Sequence, residues 1–397
     1  MIQLKDKSAC CGCSACATAC PKQCISMRED EEGFLYPFID KSVCIDCGLC
    51  EKVCPVIHQS EARRPQKVYA AINPDEAIRL QSSSGGIFSM LAQQVIEEGG
   101  VVFGAKFNER WEVVHDYCDT LEGLAAFRGS KYVQSAMGTC YRHVQSFLKE
   151  GRKVLFSGTP CQVAGMHRYL QKDYDNLLTV DIVCHGVPSP LVWRKYVEAL
   201  QSCPKGGAGN NTVLSSSINA IPVIKGIEFR NKSNGWKTYH FVVRGNTEIF
   251  KESHGENLFM RGFLRDIYLR PSCYACPAKS GKSHSDITLA DYWGIERQHP
   301  EMDDDKGTNL VLLNTAKGCQ QFYDLNTTIQ ESTYMQALSG NPSIEKSVAQ
   351  PSLRKYFYKS FQQGQFAEAI QKTFNKMEPS FSDKVRFNIK QLLKKIR

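Results

Sequence analysis

Cys10, Cys13, Cys16 and Cys20 follow the spacing C-x2-C-x2-C-x3-C, and Pro21 comes next. Cys44, Cys47, Cys50 and Cys54 repeat that spacing, followed by Pro55. Three closely spaced thiolates can wrap three irons of one cubane from a single tight loop. The fourth, turned away at the proline, serves the neighbouring cubane. The pattern predicts two 4Fe-4S clusters and one-electron chemistry. Cys10, Cys13, Cys16 and Cys54 would hold one cluster; Cys44, Cys47, Cys50 and Cys20 would hold the other. Gly12, Ala15, Ala17, Gly48 and Leu49 suit loops folded closely on a cluster. Zinc is the competing occupant, but zinc ribbons pair two CxxC knuckles rather than triple runs. Cys11, Cys24, Cys203 and Cys319 fall outside the pattern and read as spare thiols.

Four more cysteines stand where chemistry can form. Cys161 and Cys184 each follow a predicted strand and precede a predicted helix, and Cys273 and Cys276 form a CxxC pair before Pro277. Together they could bind a third 4Fe-4S cluster, a structural zinc, or simply be buried thiols. His185 adjoins Cys184; it could give a proton to an acceptor, hydrogen-bond a cluster sulfur, or pack in the core. His115 reads as a satisfied core histidine, and Asp291 as structural. Ser82-Ser83-Ser84-Gly85-Gly86 opens a predicted helix, where free N–H groups and the dipole suit an anion, although such a loop is equally a plain helix cap. Neither GxGxxG nor GxxxxGK[ST] is present, so neither a dinucleotide Rossmann site nor a P-loop is indicated.

The elements that must position these residues follow from the pattern. A 58-residue ferredoxin-type module is followed by a polar linker at Arg63-Arg64-Pro65. Strands are expected at 68–72, 101–107, 152–158, 177–183 and 286–293, with helices at 87–98, 191–200 and 257–269. Thr159 and Pro160, then Ser189 and Pro190, are cap and first-turn residues. An antiparallel pair is expected at 226–230 and 236–243. The alternation argues for a mixed α/β body, partly parallel, whose strand ends gather Cys161 and Cys184 on one edge. Residues 301–397 read as a helical extension. The predicted organisation is thus multidomain: 1–58, 67–143, 144–300 and 301–397.

The composition is 42% apolar, enough for a sizeable core, and no apolar run approaches the roughly 18 residues of a membrane span. Residues 1–7 have no apolar stretch of a secretory leader, so the expected compartment is the cytoplasm. Eighteen cysteines then indicate metal or redox sites rather than disulfides. The net charge of +8 comes without any nucleic-acid-binding motif, so no nucleic-acid partner is expected. From Lys384 to Arg397 the chain is basic, with Val385, Ile389, Leu392, Leu393 and Ile396 at helical spacing. Such a helix can pack on the body, lie on an anionic membrane, or dock an acidic partner.

Six short stretches carry a resemblance. They are Ser83-Ser84-Gly85-Gly86, Arg128-Gly129-Ser130-Lys131-Tyr132-Val133-Gln134, Gly158-Thr159-Pro160-Cys161-Gln162, Val183-Cys184-His185-Gly186, Cys273-Tyr274-Ala275-Cys276 and Ala290-Asp291-Tyr292-Trp293-Gly294. In this order, behind a ferredoxin module, they resemble the coenzyme F-420 hydrogenase/dehydrogenase beta-subunit family over residues 67–295. The resemblance implies an FAD-containing iron–sulfur protein, passing electrons between clusters and a flavin that exchanges hydride with a small organic acceptor. Ser83, Ser84, Gly85 and Gly86 would then hold flavin phosphate, and Ser130 and Lys131 would face an anionic part of flavin or substrate. His185 and Lys131 are the catalytic candidates. One reading is a self-contained reductase fed by ferredoxin or another low-potential donor. A second is an electron-transfer subunit of a larger hydrogenase or dehydrogenase, and a third is a redox sensor.

Overall fold

A computed structural model describes residues 1–202, 223–246 and 248–377. The basic segment 384–397 and Cys203 lie outside the described residues. In the ferredoxin-type module, α1 (Ala15–Ala19) and α2 (Leu49–Lys52) are single turns following the two cysteine runs. Between them β1 (Ile25–Glu29) pairs antiparallel with β2 (Leu35–Ile39).

The body is built on one eight-stranded sheet. Its strands are β3 (Lys67–Ile72), β4 (Val101–Phe107), β5 (Val113–Cys118), β6 (Val154–Gly158), β7 (Leu177–Ile182), β11 (Ile287–Asp291), β12 (Asn309–Leu313) and β13 (Thr328–Ser332). Between β7 and β11 the chain inserts a three-stranded antiparallel sheet: β8 (Gly226–Asn231), β9 (His240–Arg244) and β10 (Glu248–Ser253). The order across the main sheet is β13-β3-β12-β11-β7-β6-β4-β5. β4, β6, β7 and β11 run parallel, while β5 on one side and β12, β3 and β13 on the other are antiparallel. The parallel strands are short apolar runs, as expected of strands covered on both faces. Helices α3 (Ile87–Glu97), α4 (Cys140–Lys149) and α5 (Pro160–Leu170) flank them.

A second core is aromatic. Trp193 of α6 (Pro190–Ser202) packs 5.0 Å from Phe229 and 5.1 Å from Phe259 of α7 (Leu258–Leu264), ring centre to ring centre. The closing pair α8 (Arg354–Gln363) and α9 (Phe366–Met377) covers this core with Phe357 and Phe366. Arg354 grips Glu32 of the ferredoxin-type module from α8, with 2.7 Å from Nη1 to Oε1, so the end of the described chain is stapled to its beginning.

Two expectations are corrected here. Residues 301–397 are not a helical extension, because β12 lies between β3 and β11 inside the sheet and β13 forms its edge. A five-residue apolar run such as Asn309–Leu313 carries no periodicity that separates strand from buried helix. The division at 143/144 likewise cuts a single sheet. The helix expected over 257–269 stops at Leu264, where Asp266 adopts a left-handed φ of 59° and turns the chain. Among the described residues no helix is long and apolar enough to cross a membrane.

If β12 is integral to the sheet, ending the chain after residue 300 should leave a body that does not fold, read by circular dichroism. An independent extension would tolerate that cut. Leu310→Ala, at a fully buried strand position, should lower stability by about 2–5 kcal/mol, read as a lower urea midpoint.

Candidate iron–sulfur and cofactor site

The cysteine runs sort into two sets by proximity. Cys10, Cys13, Cys16 and Cys54 lie within electrostatic reach of one another. Cys20, Cys44, Cys47 and Cys50 line a second small hollow at the outer end of the module, where Cys47 is exposed. Cys24 is not remote from chemistry: its sulfur is 3.3 Å from that of Cys20, beside Cys44. No described cysteine forms a disulfide. Burial pushes the Cys16 thiol up to about 12, so its ionisation depends on a bound cation.

The inner set faces the body. Gly165, in the middle of α5, has no room for a side chain: a Cβ there would sit 2.9 Å from Cys13 Sγ and 3.0 Å from Tyr141 Oη. One turn earlier on the same helix stands Cys161. Its thiol is pushed well up, first by a hydrogen bond with Cys11 and then by burial. Cys11, which fell outside the motif, is therefore the thiol between the module and Cys161.

Cys161 follows the end of β6 and Cys184 the end of the adjacent parallel strand β7. Cys273 reaches them from a turn at Pro271–Ala275, where its sulfur accepts from Val187 N–H at 3.4 Å. Cys161, Cys184, Cys273 and Cys276 all perturb one another electrostatically. The Lys279 ammonium, buried beside them, donates to the Cys184 carbonyl at 2.5 Å and to that of Ser343 at 2.6 Å. Among the described residues no three His, Cys, Asp or Glu side chains gather closely enough for a single metal ion. A cubane spreads its four thiolates over four irons, so it asks for a wider set than zinc does. Converging buried thiols with a cation beside them suit an anionic cluster.

Beyond Cys184 opens a cavity of about 550 Å³ at the C-terminal ends of β6, β7 and β11, within the size range of cofactor pockets. Ser83, Ser84, Gly86, Ser130, Lys131 and His185 line it; Gly85 does not. Gly85 instead packs against the sheet, where a Cβ would meet Ala71 O at 2.5 Å and Asn309 N at 2.7 Å. Ser84 Oγ donates to Thr308 O, and Ser83 Oγ accepts from Ser130 N–H at 2.6 Å, joining two of the recognised loops. The Lys131 ammonium donates to the carbonyls of Ala126, Arg128 and Gly129, so it is committed to the loop that carries Ser130. Burial draws its pKa down to about 7, against the pull of those three acceptors. His185 Nε2 lies 2.5 Å from Asp266 Oδ1. His115 has both ring nitrogens bonded, and burial lowers it to about 4, the satisfied core histidine expected.

Sequence reasoning passed over three residues here. Asp266 holds His185 from 81 positions away. Arg230 meets Asp291 at 2.7 Å in the cavity wall; burial opposes its charge, but Asp291 outweighs burial and holds the guanidinium above its ordinary value. Its buried Nε has no partner among the described residues. Arg270 sits between the inner set and the core cysteines. None of these carries a local signal, since each partner is distant in sequence.

Comparison with known proteins agrees with this arrangement. Residues 9–57 match the 4Fe-4S dicluster domain, and residues 151–334 match the family described as the C terminus of the coenzyme F420 hydrogenase/dehydrogenase beta subunit. The second match runs past residue 300 through β12 and β13. No curated protein matches the chain. A chain of the F420-reducing [NiFe] hydrogenase complex from Methanosarcina barkeri, from a xenon derivatization, is 17% identical, with a TM-score of 0.47 over 79% of this chain and 93% of that one. The chain is an iron–sulfur protein in which a 4Fe-4S dicluster domain precedes a body of the coenzyme F420 hydrogenase/dehydrogenase beta-subunit family.

Proposed function

We propose that the chain is the electron-transfer subunit of a larger oxidoreductase. Electrons pass between the outer cluster, the inner cluster, a third 4Fe-4S site at Cys161, Cys184, Cys273 and Cys276, and an FAD in the cavity that serves a small organic acceptor. The carrying observation is the position of the core cysteines, which meet Cys11 of the module at Cys161 and border the cavity at Cys184. The subunit reading stands ahead of a free-standing ferredoxin-dependent reductase because the matching family is described as a beta subunit. The exposed Cys47, with exposed Val43 and Ile45 beside it, then marks where a partner subunit would meet the outer cluster.

The chain's own residues divide the work. Gly165 permits close approach of the module, and Lys279 offsets negative charge at the core cysteines. The start of α3 with Ser83 and Ser130 offers donors for phosphate, and the unpartnered Arg230 Nε offers one for a carbonyl or anionic oxygen. His185, held at Nε2 by Asp266, exchanges a proton through Nδ1. A flavin in this cavity takes up electrons singly and hands them on in pairs.

Anaerobic reconstitution of the full chain should give about twelve irons and as many labile sulfides, from three cubanes. Cys161→Ser should reduce this to about eight and leave both N-terminal cluster signals in place. Eight irons in the unaltered chain would remove the third cluster. Gly165→Leu, which forces a side chain against Cys13, should diminish the inner-cluster signal in paramagnetic resonance and spare the outer one. Gly86→Val, at a φ of 85°, should lower bound flavin at unchanged iron content. Retention of full flavin would move the flavin away from the α3 start.

A further inference from the structure

Four arginines of the described chain are less than one-tenth exposed: Arg79, Arg230, Arg270 and Arg354. Arg79 pairs with Asp304, Arg230 with Asp291, and Arg354 with Glu32. Arg270 is the most buried, with no exposed surface, and among the described residues no carboxylate lies within ion-pair distance of it. Its guanidinium is bonded only to neutral acceptors and to sulfur. Nε donates to Cys10 O at 2.8 Å, Nη1 to Gln134 Oε1 at 2.9 Å, and Nη2 to Leu35 O at 2.9 Å. Nη2 also lies 3.6 Å from Cys10 Sγ. The Tyr36 ring covers the group, its centre 4.3 Å from the guanidinium carbon.

A buried cation without an anion is strongly unfavourable. A lysine can escape by losing its proton, as burial favours for Lys232, which is drawn down to about 7. Arginine cannot. The fold nonetheless builds room for this charge: Gly12, at a φ of +71°, lacks a side chain where a Cβ would lie 2.7 Å from Arg270 Nη1. The missing anion must therefore be supplied at Cys10, and the charge also reaches Cys161 and Cys273 of the core set. A cubane with four thiolates is negative overall, and more so by one charge once reduced.

We infer that Arg270 is the buried counter-charge of the inner cluster, favouring its reduced form so that electrons settle at the junction between dicluster domain and body rather than at the exposed outer cluster. No bond is made or broken; one electron leaves the outer cluster and enters the inner one, and the fixed positive charge offsets the charge added. Arg270 is thus a potential-setting residue, not a catalytic one. The inference rests on the inner cysteines holding a cluster and does not require a third cluster or a flavin.

The test is a redox titration of the full, anaerobically reconstituted chain followed by paramagnetic resonance, with iron content measured on each sample. Cys47→Ser identifies the outer signal. In the unaltered chain the inner cluster should be reduced first. Arg270→Gln should lower the inner cluster's reduced-to-oxidised ratio at fixed potential about tenfold or more, about 59 mV for one electron, with iron content and the outer signal unchanged. Arg270→Lys, which keeps the charge, should shift it less. A fully loaded Arg270→Gln chain with an unmoved inner potential overturns the inference, as does an unaltered chain in which the outer cluster is reduced first. If Arg270→Gln cannot hold the inner cluster, the order of potentials in the unaltered chain and the Arg270→Lys shift decide. Iron content separates these outcomes from failure of the functional reading: loss of the third cluster alone leaves the Arg270 effect intact.

Discussion

The contact between Cys13 and Gly165 is the constraint on which the assembly depends. Electrons can leave the dicluster domain for the body only if its inner cysteines pack tightly against something that also carries a redox site. Helix α5 does both: Cys161 stands in its first turn, and one turn later Gly165 leaves the space that Cys13 fills. Residues four apart share a helix face, so one rigid element sets the spacing of two sites. The remaining docking contacts follow the same logic. Gly12 yields space to Arg270, and Gly33 lies where a Cβ would meet Leu191 Cβ at 2.1 Å. The module is close-packed on the body, and the Glu32–Arg354 pair ties it to the closing helices.

The sheet decides where α5 begins and where the cavity opens. Parallel neighbours β6 and β7 end on the same edge, so Thr159-Pro160-Cys161 and Val183-Cys184-His185 emerge side by side. Open α/β sheets place their ligands at such an edge. The antiparallel flank does a different job. Asn309 of β12 accepts the first N–H of α3 through its side chain, and its backbone leaves no room for a Cβ at Gly85. The segment after residue 300 thus holds the Ser83–Gly86 loop against the cavity.

The parts legible in the sequence were those encoded over short spans. Two cysteine runs announced the dicluster domain, and Thr159-Pro160 announced the start of α5. The gathering of Cys161 and Cys184 followed from strand-end logic, although nothing local joined them to Cys273 and Cys276. The illegible parts are long-range pairings. Arg270 meets Cys10 across 260 positions, and Asp266 reaches His185 across 81. Nothing about an isolated arginine or aspartate in a sequence says that it will be buried beside a thiolate or a histidine. β12 was missed for another reason: an apolar run of five residues is consistent with either helix or strand until its neighbours are known.

Two histidines border the cavity, and their hydrogen bonds separate their roles. His115 Nε2 faces the Ser157 carbonyl at 2.8 Å, which can only accept, so the ring proton is on Nε2. Nδ1 must then accept from the Ser135 hydroxyl. Ser135 Oγ in turn accepts from Gln162 Nε2 at 2.8 Å, and Gln162 Oε1 accepts from the Thr159 N–H at 2.9 Å. Thr159 Oγ1 lies 3.3 Å from Cys161 Sγ, completing a chain of neutral groups from the cavity wall to a core cysteine. Its donors and acceptors are matched in one direction, and burial keeps His115 neutral, so taking up a proton there would break the chain. It fixes the approach to Cys161 and relays nothing. His185 differs on both counts. Its side chain is 39% exposed and its partner is the carboxylate of Asp266, which stabilises the protonated ring. A proton that accompanies electrons into the cavity is therefore better handled beside Cys184 than beside Cys161.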